Sequence, residues 1–173
     1  MKKIVLTLSL FVAGMGAAFS QASAIWSPKN INIDTSWGVR YMSAVDANIA
    51  WAIAYDASTA FNRATDTFVV TTNGGTSFMK GTFFADTNTY SPSNISAINA
   101  TTAFISAYPK VAELAGHNTT GISSKVIRTI NGGVNFTLIS DSLTMFNGVD
   151  NFIDWVYFWD VNNGIAMGDP NGS

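Results

Sequence analysis

The chain has 173 residues, about one domain's worth, of which 13% are aromatic and only 12% charged. The charged share is well below the usual ~25%, and the aromatic load is enough to bury a core, which excludes disorder by composition. Nine Lys plus Arg against eleven Asp plus Glu give no electrostatic case for nucleic acid, and one His (His117) with no Cys argues against structural zinc and disulfides.

In chain order, export comes first. Lys2-Lys3 form a positive n-region, Ile4 to Phe19 is apolar, and Ala18-Phe19-Ser20 and Ala22-Ser23-Ala24 offer small-x-small cleavage sites. Residues 1–20 are therefore expected to be a signal peptide, with cleavage after Ala24 as the alternative boundary. The run is short for a membrane span and holds Gly14 and Gly16, so no stable span is expected once it is cleaved. Without Lys2 and Lys3 the mature chain holds seven positive and eleven negative side chains. The expected location is periplasmic, cell-surface or extracellular.

Ile31, Ile33 and Trp37 alternate with polar residues and suggest an edge strand across Ile25 to Trp37, while Pro28 bars a helix. Met42 to Tyr55 then aligns with Ile95 to Tyr108 at a shift of 53 residues, and Val156 to Gly168 repeats the pattern a further 61 along. Each copy reads as apolar strand, Asp or Asn turn, small residue, apolar strand. Asp46, Asn99 and Asp160 share one offset; Ala50, Ala103 and Gly164 share another, where the side chain must be small. The alanine-rich Ala47 to Ala60 admits a helix, but Trp51, Ile53 and Tyr55 alternate at period two, which selects a strand. Val111 to Ala115 could make a single helical turn inside a long loop.

Between the copies lie Thr71-Thr72-Asn73-Gly74-Gly75-Thr76-Ser77-Phe78 and Thr129-Ile130-Asn131-Gly132-Gly133-Val134-Asn135-Phe136. Asn-Gly after a short apolar run is a strong hairpin signal, because Asn and Gly tolerate a left-handed backbone. Asp56 to Asp66, Phe84 to Ser93 and Tyr108 to Ser123 read as surface loops. Four short strands per unit at this period are the signature of propeller blades. The fold class expected is all-β: a partial β-propeller of about two and a half to three antiparallel blades. A third Asn-Gly-Gly turn does not follow Val156 to Gly168, so the chain is expected to be a fragment completed by missing blades of a longer product, or else to self-associate.

Thr71-x-Asn73-x-Gly75-x-Ser77-Phe78 and Thr129-x-Asn131-x-Gly133-x-Asn135-Phe136 resemble the Asp-box, or BNR repeat, with Asn where Asp is commonest and Phe where Trp is. The resemblance implies a sialidase-like propeller over residues 25–173, in which each box is a structural turn between outer strands. Phe158 to Gly172 is similar to secreted Bacteroidetes-type propeller proteins related in fold to the photosystem II assembly and stability factor. That likeness implies a fold and no photosynthetic role.

Sialidases share the box, so a glycosidase is the competing reading. That family uses an arginine triad, a Tyr paired with Glu, and an acid-base Asp, whereas Arg40, Arg63 and Arg128 match no such motif and Glu113 is the only glutamate. Asp150, Asp154 and Asp160 have neither calcium-loop nor catalytic spacing and read as solvated turn residues; His117 reads as a loop residue. Trp155, Tyr157 and Trp159 could be blade-packing residues or a platform for sugar or peptide. The expectation is a non-catalytic exported scaffold for protein or glycan binding, with no cofactor and no metal, whose partners include cell-surface proteins or glycans. The alternative is a fragment of a carbohydrate-active propeller whose catalytic residues lie outside this chain.

Overall fold

The computed structural model describes residues 27–58, 63–83, 90–109, 123–146 and 152–168. The signal segment, Trp26, Glu113, His117, Asp150 and the stretch 111–115 lie outside these. The described chain is all-β apart from one short helix. β1 (Trp37–Ala44), β2 (Ala50–Asp56), β3 (Arg63–Thr71) and β4 (Met79–Thr82) form one antiparallel meander. β5 (Tyr90–Ala97), β6 (Ala103–Pro109), β7 (Lys125–Thr129) and β8 (Thr137–Asp141) form a second in the same order. Helix α1 (Ser142–Phe146), whose Thr144 amide is capped by Asp141, leads to a hairpin of β9 (Ile153–Phe158) and β10 (Gly164–Gly168). The sheets do not close into a barrel; they stack face to face as consecutive blades of a partial propeller.

The hairpins form because one residue in each closes a five-residue turn. Asp46 Oδ1 accepts from the amides of Asn48 and Ile49 at 2.7 and 2.8 Å. Asn99 Oδ1 does the same for Thr101 and Thr102, and Asp160 Oδ1 for Asn162 and Asn163. A short side-chain acceptor thus takes over amides that the tight turn removes from the ladder. A second repeated device escapes the sequence. Pairing skips one residue at Arg40 in β1, at Ser93 in β5 and at Asp154 in β9, the same offset in all three units. Such bulges sharpen the local twist of an edge strand.

Each sheet has a leading face turned toward the next unit and a trailing face turned toward the previous one. Trp51, Ile53, Phe68 and Val70 from the first sheet pack on Ile95, Ala103, Ile105 and Ile127 of the second, all at most 5% exposed. Side chains of this size contribute roughly 1.5–3 kcal/mol each when fully buried. Trp51 also donates its indole N–H to the Asn99 carbonyl at 3.0 Å. Between the second sheet and the hairpin, Phe104 stacks on Phe158 with centroids 3.6 Å apart, and Val126 packs with Ile153 and Val156.

On β5 and β9 an amide of the unpaired edge finds its partner in the preceding unit. Ser43 Oγ accepts from the Ala97 amide and Ser96 Oγ from the Phe158 amide, both at 2.9 Å. These contacts are one repeat apart, so the same docking occurs twice. They supply partners for amides that would otherwise be buried without one.

Two expectations are corrected. Residues 27–36 form no strand: Asn30 and Asp34 capture the amides of Asn32 and Ser36, and Asn32 takes φ 60°, which removes these residues from any ladder. The expected surface loops are also shorter, because Arg63–Asp66 belong to β3 and Tyr90–Ser93 to β5. Ser91, Pro92 and Ser93 are buried. Ser93 Oγ lies 2.6 Å from the Ile153 carbonyl and 2.8 Å from Ser106 Oγ, so the polar character of this stretch serves a contact between units rather than solvent.

Candidate functional site: an aromatic face on the last hairpin

The Asn-Gly-Gly corners follow β3 and β7. In the first, Thr71 Oγ1 accepts from the Gly75 amide at 2.9 Å and donates to Asn73 Oδ1, which accepts from the Ser77 amide at 2.9 Å. In the second, Thr129 Oγ1 accepts from Gly133 at 2.9 Å and donates to Asn131 Oδ1, which accepts from Asn135 at 3.0 Å. Gly74, Gly75, Gly132 and Gly133 all have φ between 65° and 86°, a region costly for other residues. Each corner docks on its own hairpin turn: the Gly74 amide donates to Asn48, that of Gly132 to Thr101. The Thr and Asn side chains are thus engaged with the corner itself. Phe136 packs edge-on against Phe68 and Phe83, whereas Phe78 borders a pocket.

A contiguous set of large aromatic and apolar side chains with unspent contact capacity lies on β9 and β10. Alternation places Val156 and Phe158 against the second sheet and turns Trp155, Tyr157 and Trp159 outward, at 37%, 50% and 56% exposure. Tyr157 pairs with Ile165 and Trp155 with Met167, so Ile165 and Met167, both exposed, complete the same face. Gly164 is small for a reason of packing: a Cβ there would stand 2.5 Å from the Phe158 ring. Trp155 and Tyr157 are nearly parallel (8°) with centroids 5.7 Å apart, and Tyr157 lies 6.5 Å from Trp159. By register this is the leading face of the third unit, the counterpart of the faces that carry Trp51 and Phe104.

The three arginines lie on three different strands. Arg40 stands over Tyr41 on β1, the Arg63 backbone lies in β3, and Arg128 reaches from β7 to the Val161 carbonyl at 3.4 Å. Among the described residues no group of three or more His, Cys, Asp or Glu could hold a metal ion. The Asp160 carboxyl is held below the usual value, first by the Asn163 side-chain amide and then by the Asn162 backbone amide. Asp34 is held low in the same direction by the Ser36 amide and hydroxyl. Both are turn acceptors stabilised as anions. Among the described residues no helix is long and apolar enough to cross a membrane.

No family model matches the chain, and no curated protein matches it. Among solved structures it is similar to "YCF48 bound to D1 peptide", with 13% identity and a TM-score of 0.47. The match covers 82% of this chain and 40% of that one, so the chain spans less than half the length of the structure it matches. The likeness concerns fold alone.

Proposed function

We propose that residues 25–173 are an exported, non-catalytic β-propeller segment that acts as a scaffold for protein or glycan binding at or beyond the cell envelope. In this reading residues 1–20 are a signal peptide, with Ala24 as the alternative cleavage point. The corners at 71–78 and 129–136 serve as Asp-box-like structural turns rather than as sites. The observation that carries the reading is the face of Trp155, Tyr157, Trp159, Ile165 and Met167. Those positions dock one blade on the next elsewhere in the chain, and here they are turned outward. Exposed aromatic patches of this kind mark interaction surfaces.

The test pairs a glycan microarray with a panel of fluorogenic glycosides, sialosides included. It uses the purified chain and its Trp155→Ala/Tyr157→Ser variant. The reading expects no turnover, and binding that the double substitution abolishes. Turnover of a glycoside by the wild-type chain, or binding that survives loss of both rings, contradicts it.

A further inference from the structure

An asparagine followed by glycine is the pair in which a side-chain amide reacts most readily with the backbone, because a residue without a Cβ lets its nitrogen approach the preceding Cγ. The chain places this pair at both corners, as Asn73-Gly74 and Asn131-Gly132. In each corner the two reacting groups are held in opposite states. The electrophile is exposed and polarised. Both asparagines lie at the surface. Asn73 Oδ1 accepts from Thr71 Oγ1 at 3.1 Å and the Ser77 amide at 2.9 Å; Asn131 Oδ1 accepts from Thr129 Oγ1 and the Asn135 amide, both at 3.0 Å. Two donors on one carbonyl oxygen draw charge from its carbon and stabilise the oxyanion that forms when a nucleophile adds. The nucleophile is turned away. The Gly74 amide donates to the Asn48 carbonyl at 3.0 Å, and the Gly132 amide to the Thr101 carbonyl at 2.9 Å. The lone pair exposed by removing that proton would point at the hairpin turn rather than at Cγ. Each corner is thus primed on one side and latched on the other.

We propose that Asn73 and Asn131 are latched deamidation sites, each opened when its corner lets go of the adjoining hairpin turn. In the open corner hydroxide takes the proton of the glycine amide, and the nitrogen attacks Cγ to form the C–N bond of a cyclic imide. The Cγ–Nδ2 bond then breaks, and ammonia leaves with a proton from water. Water next adds to an imide carbonyl. Opening of the new Cγ–N bond gives Asp, whereas opening of the bond from the asparagine's own carbonyl carbon to the glycine nitrogen gives an isoaspartyl linkage. Either way a water is consumed and an ammonia is released, with no change of oxidation state. The turn residue sets the latch. Asp46 Oδ1 holds the Asn48 amide and Asn99 Oδ1 the Thr101 amide, and these are the residues whose carbonyls hold the glycines.

The two products act differently on the corner. Asp puts a carboxylate oxygen where Oδ1 stood, and both groups that meet it there are donors. The Ser77 hydroxyl, which accepts from Asn73 Nδ2 at 2.8 Å, can rotate to donate instead. The Asp corner therefore persists. In the isoaspartyl product the main chain runs through the side chain and gains a methylene between the threonine and the glycines. That lengthening breaks the 2.9 Å bonds from Gly75 to Thr71 and from Gly133 to Thr129. At position 131 it also shifts Gly133 from under the Phe68 ring, so the contact between the first and second sheets loosens with it.

The test follows Asp and isoaspartate at each corner by peptide mapping with mass spectrometry during incubation at mildly alkaline pH. It compares wild type, Asp46→Ala and Asn99→Ala, with the guanidinium-unfolded chain as the unlatched reference. Both corners of the native wild type are expected to convert at least roughly tenfold more slowly than in the unfolded chain. Asp46→Ala is expected to speed conversion at Asn73 roughly three- to tenfold and leave Asn131 unchanged, and Asn99→Ala to do the reverse. Asp46→Asn and Asn99→Asp keep the acceptor and are expected to hold the wild-type rates. Where circular dichroism shows that an alanine variant has unfolded, amide exchange of the native wild type at Gly74 and Gly132 replaces it, and each asparagine is expected to convert in proportion to the opening of its own glycine amide. Native corners that convert as fast as unfolded ones, turn substitutions that speed both corners alike in a folded chain, or conversion that does not follow exchange at the adjoining glycine overturns the inference.

Discussion

Gly75 and Gly133 occupy equivalent corners with φ of 77° and 86°, yet they differ in what lies above them. A Cβ on Gly133 would fall on the Phe68 ring, whereas one on Gly75 would meet Phe78 and Lys29 at ordinary contact distances of 3.5 and 3.7 Å. Either Ala substitution places an L side chain in the left-handed region, at a cost of about 1–2 kcal/mol. Gly133→Ala must also displace a buried ring, and overpacking adds about 1–3 kcal/mol. Gly133→Ala is therefore expected to be about 1–3 kcal/mol more destabilising than Gly75→Ala, or roughly 3–10 °C lower in Tm for a chain of this size. The assay is urea and thermal unfolding of the two variants. Phe68→Leu should relieve part of the penalty, with a coupling of about 1 kcal/mol in a double-mutant cycle. Equal losses at the two glycines, with no coupling to Phe68, would refute the claim that the first sheet sits on the second corner.

Other consequences are equally direct. Thr129 is fully buried and accepts from the Gly133 amide, so the near-isosteric Thr129→Val should cost about 1–3 kcal/mol in urea unfolding by orphaning that donor. Ser93→Ala removes the hydroxyl between Ser106 and the Ile153 carbonyl and should cost a similar ~1–3 kcal/mol. It should also raise amide exchange in β9 and β10 before it affects β1 to β4. Asp160 has a folded pKa below its usual value of 3.8, so its contribution is present above that value and is lost as pH falls through the folded pKa. Asp160→Asn keeps an amide oxygen able to serve the turn, as Asn99 does. It should leave the Tm near neutral pH almost unchanged and make the decline below about pH 4 shallower; an unaltered acid limb would count against this role.

The hairpins were readable because their information is local. Strict alternation in Trp51-Ala52-Ile53-Ala54-Tyr55 and the recurrence of Asp46, Asn99 and Asp160 each constrain a few neighbouring residues, and β1–β2, β5–β6 and β9–β10 follow from them. What escaped depends on neighbours far along the chain. Tyr90 to Ser93 has the composition of a loop, and it is the Ile153 carbonyl, 60 residues away, together with Ser106 Oγ that makes a buried Ser93 favourable. The serines at 43 and 96 carry no sequence mark of their docking role, since any exposed hydroxyl looks the same. Their shared offset from the Asp or Asn turn was the available signal. The bulges at Arg40, Ser93 and Asp154 were hidden because three unlike side chains hold one backbone position. For residues 27–36, apolar alternation was outweighed by the local bonds of Asn30 and Asp34. The aromatic face was visible as a pattern, but its exposure depends on which sheets are present to cover it.

The central claim, that each sheet seats its leading face on the corner and strands of the next, is tested most directly by a nuclear Overhauser spectrum of the isotopically labelled chain. The account predicts cross-peaks between the Phe68 ring and the Gly133 α-protons, which the ring current should shift well away from their Gly75 counterparts. Gly133 α-protons that resemble those of Gly75 and show no contact with Phe68 would contradict it.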